Sequence, residues 1–174
     1  TLAAGPIARL NTPALLAALD RYPYGCTEQV TSTAMPLLYH SSVAETMGLV
    51  APTDLGTRIE SAITKVLTRQ DASGAFGLWE PASGDGWLDA YATDFLSRAR
   101  KAGYAVPDGA FRNALDNLRN QVNYAPDFDA ESNGGGRTLA YQLMILAREG
   151  AAAVGDLRYY ADVKLDDFAS PLAK

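Results

Sequence analysis

Cysteine and histidine each occur once in the 174 residues, at Cys26 and His40. A single cysteine forbids any intrachain disulfide, and one cysteine with one histidine cannot furnish a zinc ligand set, so no metal site is expected; no cofactor is expected either. Basic residues are in the minority, with 15 Lys and Arg against 20 Asp and Glu and a formal net charge of -5. That balance, without any basic run, argues against binding nucleic acid or an anionic membrane through bulk electrostatics. Long apolar runs are missing too: no stretch reaches the length of a membrane span, and the first residues lack the segments of a signal peptide. The chain opens on Thr1 rather than methionine and ends on Ser170-Pro171-Leu172-Ala173-Lys174, which reads as a fresh helix start. Any export signal is therefore expected elsewhere, in a longer protein. What is present is enough for one substantial core, since 48% of residues are hydrophobic and 20% charged, and residues 1–174 read as a single unit.

The lone cysteine sits in an informative setting, Tyr22-Pro23-Tyr24-Gly25-Cys26-Thr27-Glu28-Gln29. A cysteine three positions before a glutamine, at the first turn of a helix, places the sulfur and the amide carbon on one side of that turn. Attack of the thiolate on the Gln29 amide with loss of ammonia would give an internal thioester, an acyl group stored for capture by an external amine. Pro23 restricts Tyr22 to extended conformations, and Gly25 permits a sharp bend before the cysteine. Thr27 and Glu28 suit the first turn, whose unpaired N–H groups favour a thiolate. Tyr22 and Tyr24 could lay their rings over the acyl sulfur and exclude water. Taken singly, the same residues have plainer readings: Cys26 as a small buried hydrophobe, Glu28 and Gln29 as helix-start residues, the tyrosines as packing aromatics.

Periodicity points to an all-α chain. A short helix is expected from Thr12 to Asp20, and another from Thr27 towards Tyr39 that Pro36 bends or ends, with a continuation through Val43 to Met47. Further helices are expected over Asp54 to Arg69, Trp87 to Ala102, Asp108 to Val122 with Asp108 as its cap, Arg137 to Arg148 ended by Gly150, and Asp156 to Val163. The segment Gln70 to Gly86, with four glycines and Pro81, is a loop. Helices in tandem, with Gly-rich loops before alternate members, suggest an α/α toroid of helical hairpins in inner and outer rings. A truncated toroid would expose an apolar edge and self-associate.

The octet Tyr22 to Gln29 resembles the thioester motif of the α2-macroglobulin and complement family, P-Y-G-C-x-E-Q, with Thr27 at the free position. Gly74 to Trp79 (G-A-F-G-L-W), Trp87 to Leu96 (W-L-D-A-Y-A-T-D-F-L) and Ala102 to Pro107 (A-G-Y-A-V-P) resemble bacterial members, so the likeness covers most of the chain. The resemblance implies the same toroid, of which this sequence would be the first half or somewhat more. It also implies a covalent peptidase inhibitor. A protease cuts a bait segment elsewhere in the protein, the exposed thioester acylates the protease, and the trap is used once, so the protein is not an enzyme in the ordinary sense. Cys26 and Gln29 would be the thioester partners, supported by Tyr22, Pro23, Tyr24, Gly25 and Glu28. Partners would be proteases and the other domains of the same protein, at a periplasmic, lipid-anchored location. Complement members pass the acyl group to hydroxyls with a downstream histidine; none follows His40 here, which implies a preference for amines.

Other chemistry is open to the residues. A Cys26/His40 dyad would need a break in the chain, because fourteen helical positions span roughly 20 Å. Asp85, Asp89 and Asp94 could serve a helical-toroid enzyme acting on glycans or isoprenoids, although capping and the helix dipole suit them better. Gly134 to Gly136 lacks the signature of a phosphate loop and reads as a hinge. A third alternative keeps the fold without the thioester, as an interaction module.

Overall fold

A computed structural model describes residues 25–39 and 53–174. The helices expected over Thr12 to Asp20 and Val43 to Met47 lie outside the described residues. Among the described residues six α-helices follow in order: α1 (Thr27–Leu37), α2 (Leu55–Leu67), α3 (Gly86–Lys101), α4 (Asp108–Asn123), α5 (Arg137–Arg148) and α6 (Val154–Asp162), with 3-10 turns at Asn133–Gly136 and Leu165–Asp167. The fold is all-α; the one β-type pairing among the described residues is an isolated bridge between Gln70 and Phe76. No helix among them is long and apolar enough to cross a membrane.

The organising element is α3, which packs against α1, α2, α4 and α5. Its small residues Ala90, Ala92 and Ala99 are fully buried and let neighbouring helices approach from several sides. One apolar cluster joins Ala34 and Leu37 of α1, Ile59, Ile63 and Val66 of α2, Phe76 of the loop that follows, Phe95 and Leu96 of α3 and Phe111 of α4. A second joins Ala90, Leu118, Val122, Phe128, Leu143, Leu146 and Phe168. Burying each large side chain completely contributes about 1.5–3 kcal/mol, so the first cluster is what holds α1, and with it the cysteine turn, against α2 and α3.

Local chemistry explains the helix limits and corrects two expectations. Helix α1 ends at Leu37, one residue past Pro36, because proline has no N–H for the ladder and its ring crowds the preceding turn. Asp85 caps α3, its Oδ1 accepting from the Leu88 N–H at 3.0 Å. Asp89 and Asp94 do not cap: both are buried within α3, bonded to other elements. The cap position of α4 is Pro107, with Asp108 in the first turn and paired with Arg100 at 2.8 Å. In the run Gly134 to Gly136, the last glycine is closely packed. A Cβ on Gly136 (φ +71) would lie 2.4 Å from a Phe128 ring carbon, so the glycine is required by close packing over the second cluster.

Candidate functional site

Cys26 is the N-cap of α1, in an extended conformation (φ -64, ψ 163), and is 5% exposed. Gln29 is the third residue of the helix, and the two form a capping box: the Cys26 side chain faces the Gln29 backbone N–H, while the Gln29 side chain faces the Cys26 backbone N–H. The Cys26 N–H donates to Gln29 Oε1 at 3.4 Å. Sulfur and carboxamide therefore occupy the same side of the first turn, as spacing of three residues dictates.

The neighbouring motif residues divide. Glu28 Oε1 accepts from the Ser32 hydroxyl at 3.0 Å, and Ser32 Oγ lies 3.1 Å from the Tyr91 hydroxyl, so Glu28 is tied along α1 towards α3. A Cβ built on Gly25 meets nothing within 4 Å, and the bend expected there begins at residues outside the described ones. Tyr22, Pro23, Tyr24 and His40 lie outside the described residues.

Sequence reasoning missed the partners of Thr27, the motif's free position. Thr27 is fully buried. Its Oγ1 donates to the Gly77 carbonyl at 2.6 Å, and its backbone N–H donates to the Leu78 carbonyl at 2.8 Å. Arg69 reaches the same turn: one guanidinium nitrogen donates to Thr27 Oγ1 at 3.3 Å and the other to the Gly25 carbonyl. The Gly77 N–H in turn donates to the Arg69 carbonyl at 3.0 Å. The loop between α2 and α3 thus forms the wall on which the cysteine turn is mounted. The only hint in the sequence was the G-A-F-G-L-W segment, which carries no sign of what it touches.

That loop is anchored by Asp89, which is fully buried. It accepts from the Phe76 N–H at 2.6 Å, from Asn117 Nδ2 at 3.0 Å and from Gln121 Nε2 at 2.6 Å. Burial pushes its carboxyl above the usual range, and the three donors oppose that shift. Asp94 shows the opposite balance: burial would raise it, but bonds from Arg98, Arg148 and Tyr141 outweigh burial and hold it below the usual range. Arg98 Nε lies 2.9 Å from its Oδ1 and the Tyr141 hydroxyl 2.8 Å from its Oδ2, a fixed linkage of α3 to α5. Neither carboxylate is free for general acid or base work. Among the described residues no group of three or more His, Cys, Asp or Glu is placed to hold a metal.

Residues 4–132 match the family model of the A-macroglobulin TED domain. The chain is 32% identical over 162 residues to an alpha-2-macroglobulin of Escherichia coli, covering 86% of this chain and 10% of that protein. An alpha-2-macroglobulin of Xylella fastidiosa is 28% identical over 169 residues, 92% of this chain and 10% of the relative. Among solved structures, native alpha-2-macroglobulin from Escherichia coli superposes with a TM-score of 0.75 at 30% identity, over 90% of this chain and 26% of that one. Salmonella alpha-2-macroglobulin reacted with methylamine gives 0.74 at 30% identity, over 91% of this chain and 11% of that one. The chain spans about a tenth of the length of these curated relatives.

Proposed function

The chain belongs to the A-macroglobulin TED-domain family, and from that premise we propose that Cys26 and Gln29 form an internal thioester through which a bacterial peptidase inhibitor covalently traps proteases. The observation that carries the reading is the reciprocal capping box in which the side chains of Cys26 and Gln29 each face the other residue's backbone N–H across the first turn of α1. Cys26 Sγ attacks Gln29 Cδ, the C–N bond breaks, and ammonia leaves carrying the thiol proton. The Cys26 N–H points at Gln29 Oε1, the oxygen on which negative charge gathers during that attack, and so favours it. An external amine then attacks the same carbon, an amide forms, and Cys26 departs as thiolate and takes up the proton the amine releases. The amide is the more stable acyl compound, so transfer runs downhill and is timed by access. One event consumes the group, which makes the protein a single-use reagent and not a catalyst.

In this reading residues 1–174 are one unit, the first part of an α/α toroid. The rest of the protein supplies the bait that proteases cut. Lysine amines of the protease are the acyl acceptors, and Tyr22 and Tyr24 shield the bond beforehand. The inhibitor works in the periplasm as a lipid-anchored, defensive protein.

The test is intact mass of the full-length protein from its native compartment. A formed thioester is lighter than free thiol and amide by one ammonia, about 17 Da. Methylamine should add at Gln29 and expose one thiol, and C26A should abolish both the mass deficit and the addition. A full-length protein with neither deficit nor addition is an interaction module instead, and the proposal fails.

A further inference from the structure

We propose that Arg69 and Thr27 are positioning residues for thioester formation, fixing the backbone on both sides of Cys26 so that its sulfur can reach only towards Gln29. The inference rests on the thioester reading above. Peptide groups are planar, so the direction of a side chain is set by the two planes that meet at its Cα. The plane before Cys26 is held through its carbonyl, that of Gly25, by the Arg69 guanidinium. The plane after Cys26 is held through the Thr27 N–H, which donates to the Leu78 carbonyl at 2.8 Å. With both planes pinned, φ and ψ of Cys26 are fixed and χ1 is the one torsion of the cysteine left to bring its sulfur towards the amide carbon, which Gln29 positions through its own side-chain torsions.

The two clamps are joined. Arg69 donates to Thr27 Oγ1 at 3.3 Å, and that hydroxyl donates onward to the Gly77 carbonyl at 2.6 Å. The Gly77 N–H returns to the Arg69 carbonyl at 3.0 Å. This closed ring links Thr27, Arg69 and Gly77, and the threonine in it is fully buried. It needs a forked donor, which arginine has and lysine lacks, because one rigid guanidinium must serve two acceptors at once. It also needs a hydroxyl at position 27, so the one place the motif leaves free is in this chain committed to holding the turn. Intramolecular attack depends steeply on such alignment.

The experiment uses full-length protein, wild type and R69M, R69K, T27V and R69M/T27V, pulse-labelled and followed by intact mass for the ammonia deficit, with melting temperature measured alongside. R69M and T27V should each slow appearance of the deficit roughly tenfold or more. The double variant should be no slower than the worse single one, since both break the same ring. R69K should fall between wild type and R69M, and these rates should not follow the melting temperatures. Formation at the wild-type rate in R69M overturns the inference. So do additive losses that track melting temperature with R69K no better than R69M, which would make the ring merely structural. A wild type without the deficit removes the thioester reading and this inference together, whereas a wild-type deficit with an unaffected R69M removes only the inference.

Discussion

Replacing Asp89 by alanine should loosen the wall behind the cysteine turn before it unfolds anything else. The carboxylate is fully buried, and the Phe76 N–H donates to it at 2.6 Å. The next two residues of the loop, Gly77 and Leu78, supply the carbonyls that hold Thr27. A hydrogen bond to a charged acceptor contributes about 1.5–3 kcal/mol, which corresponds to roughly a 10- to 150-fold change in a local opening equilibrium. In D89A the amides of Phe76 and Gly77 should therefore exchange with solvent faster by about that factor, read by hydrogen exchange and mass spectrometry on peptides covering residues 75–79 in the full-length protein. D89N should cost less at the loop, because its remaining oxygen can still accept from Phe76. Its new amide would face the donors Asn117 and Gln121, and Gln121 cannot turn over without losing the bond its Oε1 accepts from Gln142. Exchange in α4 near residues 117–121 should then rise in D89N. Unchanged protection over 75–79 in D89A would refute the claim that this carboxylate fastens the loop.

The two buried carboxylates of α3 should give pH dependences of opposite sign. Asp89 has a folded pKa above its ordinary 3.8, so the native state binds more protons and stability falls as pH rises from 3.8 through the folded value; Asp94 lies below 3.8, so its contribution is present above 3.8 and is lost as pH falls through the folded value. Acid titration of unfolding should accordingly become shallower at low pH in D94N, and an unaltered slope would contradict the assignment. G136A should destabilise by about 2–5 kcal/mol, combining a left-handed backbone penalty with overpacking against the Phe128 and Phe168 rings; a melting temperature equal to wild type would show that those rings can move aside.

What the sequence disclosed and what it withheld separate by distance along the chain. The pairing of Cys26 with Gln29 was legible because it depends on a three-residue offset within one helical turn, and the helices were legible because apolar spacing repeats locally, as with Ile59, Ile63 and Val66. Arg69 and Gly77 were not legible as parts of the site, since they join it across 42 and 50 positions and nothing in an arginine or a glycine names its partner. Asp89 shows why local rules mislead: an acidic residue in a first turn suits the helix dipole whether it faces solvent or core. Only the packing of α4 against α3 decides that it meets Asn117 and Gln121. Helix spacing can bring a nucleophile and an amide together in any protein that contains the pair. In the proposed reading, whether they react depends on what arrests the two peptide planes at the cysteine, and the groups that bond to those planes come from the end of α2 and the loop that follows it. Substitutions there should tune the rate of thioester formation without altering the motif itself.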